Sequence, residues 1–246
     1  MADRKAFIIG ISGCSSSGKT TLARLLRDIF PDTFILHEDD FYKQETELPT
    51  KNGLLDWDCA EAIDIPAMAD ALAYIRQHAS FPPTLDSKED QNSVGKCPVP
   101  AAAIARAQAK VSSLRSALPR ARLCLVDGFL LYAPSVAPLK HSMDVRLFVR
   151  ASYASAKARR EARDGYVTIE GFWSDPPGYV DKIVWPNYVS EHAWMFEGGD
   201  VDGEYRLDVL EKEGIKVQKG AGVDADMEKM LDWAVDTILE ELQKLN

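Results

Sequence analysis

Gly13-Cys14-Ser15-Ser16-Ser17-Gly18-Lys19-Thr20 satisfies the pattern G-x-x-x-x-G-K-[ST], and its reading decides the fold. Two glycines with four small residues between them let successive backbone N–H groups curl around a phosphate, the arrangement of a P-loop. Lys19 is the residue to reach the β- and γ-phosphates, and the Thr20 hydroxyl is the one to ligate Mg²⁺. The helix that begins near Lys19 aims its positive dipole end at the anion.

The pattern has chemical meaning only between a strand and a helix, and the flanking residues supply both. Phe7-Ile8-Ile9-Gly10-Ile11 is an apolar, β-branched run, and Lys19 to Ile29 carries Leu22, Leu25, Leu26 and Ile29 at helical spacing. Further outward, Thr33-Phe34-Ile35-Leu36, Leu123-Cys124-Leu125-Val126 and Val145-Arg146-Leu147-Phe148-Val149 read as buried strands. Asp64 to His78, with Pro66 in the first turn, reads as a capped helix, and Ala101 to Leu118 and the amphipathic Met227 to Leu245 read as helices too. Strands alternating with helices imply a parallel sheet covered on both faces. Ser80 to Pro100, bracketed by prolines around a polar centre, reads as an exposed, mobile loop. Gly198 to Gly222 gives no readable pattern.

The 246 residues are 46% apolar and 27% charged, with 29 Lys+Arg against 38 Asp+Glu and a net charge of −9. At roughly 150 residues per domain this allows one domain or two, with ample core. The acidic balance argues against a nucleic-acid face. The four cysteines, at 14, 59, 97 and 124, have no metal or redox spacing, and reduced thiols in the cytoplasm are the simplest reading. No apolar run approaches the about 18 residues that a membrane span needs, so a soluble chain is expected. Cys14, at a helix N-terminus, is either a thiol of lowered pKa or a tolerated spacer in the loop.

Ligands of such a sheet bind beyond the carboxyl ends of its strands. Asp127 follows Leu123 to Val126 as a Walker B acid should, in position to hold Mg²⁺ directly or through water. Glu38-Asp39-Asp40 closes the second strand: Glu38 reads as part of a solvated turn, and Asp40 is either that or the acceptor of a substrate hydroxyl proton. Lys157, Arg159, Arg160 and Arg163 crowd two helical turns before Asp164-Gly165, which suits either a solvated helix or a lid closing over phosphates. No guanine-reading Asn-Lys-x-Asp element is present, and the length fits a small kinase better than a motor or transporter.

Beyond the P-loop, the chain carries Asp39-Asp40-Phe41-Tyr42-Lys43, Trp57-Asp58, Gly128-Phe129-Leu130-Leu131-Tyr132, and Pro177-Gly178-Tyr179-Val180-Asp181 with Val184-Trp185-Pro186-Asn187-Tyr188. In these stretches, covering most of residues 6 to 75 and 120 to 195, it resembles the nicotinamide riboside kinases among the P-loop nucleoside kinases. The resemblance implies an ATP site of Gly13, Cys14, Ser15, Ser16, Ser17, Gly18, Lys19, Thr20 and Thr21, with Arg159 and Arg163 from the lid and an adenine-contacting turn at Gly222, Val223 and Asp224. It implies Asp40 as general base, with Thr20, Asp40 and Asp127 around Mg²⁺. It places Phe41, Tyr42 and Lys43 beside the substrate, Asp58 and Arg160 on the ribose, and Trp57 and Tyr166 on either side of the nicotinamide ring. A cationic pyridinium is a good partner for an aromatic face. From the residues alone, Trp57 reads equally as a core anchor and Asp58 as a helix cap spaced with Glu61.

The expected fold is a P-loop NTPase three-layer α/β sandwich: a doubly wound, mostly parallel five-stranded sheet with a helical lid at 153–181. It forms one domain over 1–246, with 80–119 inserted. The implied reaction is ATP-dependent phosphorylation of nicotinamide riboside, and of nicotinic acid riboside, by a cytoplasmic monomer or weak homodimer. A uridine or cytidine kinase and a catalytically silent ATP-binding regulator are the alternatives.

Overall fold

A computed structural model describes residues 6–85, 87, 95–115, 121–163, 165–168, 171–220 and 222–244. In chain order, β1 (Ala6–Ser12) leads through the P-loop into α1 (Lys19–Ile29), followed by β2 (Thr33–His37), the short hairpin β3 (Thr50–Lys51) and β4 (Leu54–Leu55), and α2 (Ile65–His78). Next come α3 (Ala101–Leu114), β5 (Arg122–Gly128), α4 (Ala137–Lys140), β6 (Val145–Phe148) and α5 (Tyr153–Glu161). A second hairpin of β7 (Tyr166–Thr168) and β8 (Gly171–Trp173) precedes α6 (Trp185–His192), α7 (Leu207–Lys212), β9 (Ile215–Val217) and α8 (Met227–Lys244).

The main sheet has five strands in the order β2-β5-β1-β6-β9, every neighbouring pair parallel. β1 is buried along its whole length at the centre, which is why it reads as a continuous apolar run. Its side chains alternate between two cores, as the strand period of two requires. Phe7, Ile9 and Ile11 join the core built with α1, α3 and α8, while Ala6 and Ile8 join the opposite core with α2 and α4. These are the three layers.

Asp64 caps α2 by accepting from the Ala67 N–H at 3.0 Å, with Pro66 in the first turn. α3 ends at Leu114 with Arg115 as its cap, and Leu118 lies outside the described residues. Its buried face is Ala103, Ala107 and Val111, flanked by the partly buried Ile104 and Leu114, and it packs against α1 and α8. Most of the polar centre of the 80–100 loop lies outside the described residues, but Val99 is buried in the α1-side core. The unreadable stretch after Gly198 contains α7 and the fifth strand. β9 is only three residues long and flanked by glycine-containing turns, too short for a periodicity to register. Among the described residues no helix is long and apolar enough to cross a membrane.

Candidate active site

The loop from Gly13 to Gly18 bends through backbone conformations that constrain its residues. Gly13 has φ +150°, and a Cβ there would meet the Val149 carbonyl oxygen at 1.8 Å, so only glycine fits between β1 and the end of β6. Ser16 and Gly18 are also left-handed, at φ 62° and 98°, and the Ser17 N–H closes the turn onto the Cys14 carbonyl at 3.2 Å. Lys19 is buried at 8% exposure and donates from Nζ to the Cys14 carbonyl at 2.9 Å, which holds its ammonium against the loop. Cys14 itself is buried, and burial pushes its thiol above the usual range despite the nearby Lys19 charge. The structure thus corrects the lowered-pKa reading: desolvation outweighs the helix N-terminus.

Asp127, 6% exposed, lies level with Ile11 of β1 and His37 of β2. Burial alone would raise its carboxyl. The hydrogen bond from His37, the Lys19 charge and the Thr20 hydroxyl together bring it below the usual carboxylate range. The His37 Nδ1 stands 3.4 Å from Asp127 Oδ2. Asp40 is half-buried in the 3₁₀ turn Glu38–Phe41 that follows β2 directly. Lys19, Thr20 and Asp127 are therefore gathered at one point, and Asp40 follows the strand whose last residue pairs with Asp127.

Glu38 is not solvated. It is fully buried, and its Oε2 accepts from the Phe129 N–H at 2.5 Å and the Leu130 N–H at 3.1 Å. It thereby fastens the turn carrying Asp40 to the strand end carrying Asp127. Gly128 leaves the room, since a Cβ there would sit 2.6 Å from Glu38 Oε2. Burial pushes the Glu38 carboxyl up to about 8. Glu38→Ala is expected to cost about 2–6 kcal/mol in urea unfolding, since the buried Leu130 N–H and the part-buried Phe129 N–H lose their acceptor at roughly 1–3 kcal/mol each. Glu38→Gln keeps an acceptor and is expected to hold most of that stability. The folded protein keeps this proton up to about pH 8 whereas an unfolded chain releases it near 4.5, so the Glu38 contribution falls as pH rises across that window. Glu38→Gln is expected to remove that slope, which unfolding at the two ends of the window measures.

Arg160, on α5, is the hub of the opposite wall. Its guanidinium is 7% exposed and donates to Asp58 at 2.7 and 3.0 Å, to Asp175 at 2.6 and 3.2 Å, and to the P-loop Ser15 Oγ at 2.9 Å. Arg159 donates to the Ser16 carbonyl at 3.3 Å, so α5 touches the phosphate loop at two points. Lys157 turns away, pairing with Asp181 at 2.6 Å. Arg163 is exposed at the mouth of a cleft that Arg160, Asp175 and Tyr179 also line.

Asp58 directs its carboxylate to Arg160, which answers the alternative of a helix cap: the 3₁₀ turn Ala60–Ala62 has no side-chain cap. Burial raises the Asp58 carboxyl, opposed by Arg160 and reinforced by Asp175 and Asp56. The segment is gripped from two sides. Tyr179 Oη accepts from the Trp57 N–H at 3.0 Å, and Asn187 Nδ2 donates to the Asp58 carbonyl at 3.0 Å and to Asp56 at 2.9 Å. Trp57 is buried, with Tyr42 edge-on at 5.3 Å and Trp173 tilted against it at 5.5 Å. It is both a core anchor and an aromatic wall of this region.

The remaining expected residues have these surroundings. Phe41 packs into the α2-side core, and Lys43 donates to the Glu61 carbonyl at 2.8 Å. Of Tyr166 only the backbone is described, in β7, so its stacking role lies outside the described residues. Gly222 and Val223 border a small cavity with Arg150 and Tyr205. Asp224 accepts from the Ser152 N–H at 3.0 Å and its Oγ at 2.7 Å, tying the loop before α8 to the N-terminus of α5. Sequence reading missed His37, Trp173, Asp175 and Asn187. Only Asn187 lies within a quoted motif, and the others are recognisable through tertiary partners alone.

A parallel sheet with a P-loop after its central strand, buried acids at the neighbouring strand ends and an arginine-bearing helix touching the loop defines a P-loop phosphotransferase. No protein-family model matches the chain. The nicotinamide riboside kinase of Schizosaccharomyces pombe is 40% identical over 98% of this chain and 99% of its own length. That of Saccharomyces cerevisiae is 33% identical over 98% of each, and nicotinamide riboside kinase 1 of Homo sapiens is 32% identical over 78% of this chain and 79% of its own. The chain belongs to the nicotinamide riboside kinase family. Among solved structures, a sugar kinase from Janibacter sp. HTCC2649 is 13% identical with a TM-score of 0.43 over 95% of this chain and 94% of that one.

Proposed function

We propose that this chain transfers the γ-phosphoryl group of ATP to the 5′-hydroxyl of nicotinamide riboside, giving nicotinamide mononucleotide, with nicotinic acid riboside as a second substrate. The observation that carries this reading is the wall opposite the P-loop: Asp58, an acceptor for ribose hydroxyls, stands beside Trp57, an aromatic face for the base, and Arg160 links Asp58 to Ser15. Asp40 takes the hydroxyl proton as the oxygen attacks, and Lys19 with the lid arginines stabilises charge on the transferring group. Closure of α5 over the loop excludes water that would otherwise accept the phosphoryl group.

Thr20, Asp40 and Asp127 offer only oxygen donors, the set that suits Mg²⁺, and Asp127 is held in its ionised form. When bound there, the cation neutralises charge on the β- and γ-phosphates. The reading is tested by ADP release across a panel of nucleosides. Turnover is expected to be fastest with nicotinamide riboside; preference for uridine or cytidine would replace the substrate, and no release with any nucleoside would leave only nucleotide binding.

A further inference from the structure

Asn187 is buried on α6, and its side-chain amide has acceptors on one side and a cation on the other. Nδ2 donates to both Asp56 carboxylate oxygens at 2.9 Å and to the Asp58 carbonyl at 3.0 Å, while Oδ1 accepts from Lys51 Nζ at 2.5 Å. Only this orientation of the amide serves every neighbour. Asp56 in turn accepts from the Asp58 N–H at 3.0 Å, so both backbone groups of Asp58 lead back to Asn187. The Asp58 carboxylate is left to face Arg160.

A local departure from the α-helix brings Asn187 there. Val180–Val184 form a π turn between Tyr179 and α6, closed by the Trp185 N–H on the Val180 carbonyl. Tyr179 and Asn187 are eight positions apart, which at 3.6 residues per turn would leave them about 80° out of phase. The residue that a π turn adds cuts this to about 20°, and both side chains reach one segment. Tyr179 takes the Leu55 carbonyl and the Trp57 N–H, and Asn187 takes Asp56 and Asp58. Pro186 has no N–H for the Lys182 carbonyl, and Asn52 Nδ2 donates to it at 3.2 Å. With Lys51 on Asn187, the β3–β4 hairpin holds this helix at two points.

We infer that Asn187 is a positioning residue for the phosphoryl transfer, setting the Asp58 carboxylate for the ribose through the Asp58 backbone rather than by contact with the nucleoside. The inference rests on the reading of Asp58 given above and extends it to the residue that fixes Asp58.

The test measures KM for nicotinamide riboside and for ATP, kcat, and urea unfolding in Asn187→Asp and in the exchanged pair Asp56→Asn with Asn187→Asp. Asn187→Asp keeps the shape and the Lys51 contact but removes the donor and sets two carboxylates against each other. It is expected to raise KM for nicotinamide riboside about tenfold, with KM for ATP and kcat within about threefold of wild type. The exchanged pair restores a donor between positions 56 and 187 and leaves only the Asp58 carbonyl without its amide. Stability is expected to recover there while KM for nicotinamide riboside stays raised. Recovery of both together would overturn the proposal and leave Asn187 as a structural support. Equal changes in the two KM values, or no change in either, would overturn it too. If Asn187→Asp does not fold, judged by circular dichroism, the exchanged pair decides: a raised KM for the nucleoside alone supports the proposal, and wild-type values overturn it. Wild-type turnover of uridine in place of nicotinamide riboside would remove the substrate reading, and the same comparison with uridine would then test Asn187 by itself.

Discussion

Asp40→Asn is expected to lower turnover about a thousandfold while ATP affinity stays within a few-fold of wild type, the size usual for losing a positioned general base. Asparagine keeps the shape of the side chain and one oxygen but cannot take a proton. The Asp40 turn is fastened through Glu38 to Phe129 and Leu130, and that anchorage does not involve the Asp40 carboxyl, so the fold around it should persist. Steady-state turnover and nucleotide binding, measured on the same preparation, separate chemistry from binding. Turnover within tenfold of wild type would remove Asp40 from the role of base.

Arg160→Ala carries the second large expectation. The change leaves the buried Asp58 and the part-buried Asp175 without their shared cation, and breaking a buried pair by removing one partner costs about 3–5 kcal/mol. Arg160→Lys is expected to recover little, because a single ammonium cannot span two carboxylates and Ser15 as the planar fork does. Unfolding in urea measures the loss, and kcat/KM should fall further than stability alone accounts for, since the lid helix also loses its tie to the P-loop. A variant as stable as wild type would show that the two carboxylates find new partners.

What the residues reveal before folding follows from the range of each signal. β1, the P-loop and α1 are contiguous, and their pattern is local, so Ile8 to Ile29 reads correctly from spacing alone. Asp127 is legible because a carboxylate at the end of an apolar strand breaks a buried run where the sheet opens toward its ligand. Glu38 looks like its neighbours Asp39 and Asp40 and reads as solvent-facing; its burial depends on two N–H groups some ninety residues away. Asp175 sits between a serine and two prolines with nothing local to mark it, and its meaning comes from Arg160 and Trp173. β9 escapes notice because strands of three residues carry no periodicity, and only the sheet beside it makes Ile215 and Val217 a core pair.

That short strand has a bearing on how the molecule behaves at high concentration. β9 closes one margin of the five-stranded sheet, and margins are where a second chain can add its own backbone. Here only three residues are on offer, and the middle one is Lys216, its ammonium 3.1 Å from Glu241 on α8. A template so brief, with a charge at its centre, guards the sheet against growth from one molecule into the next.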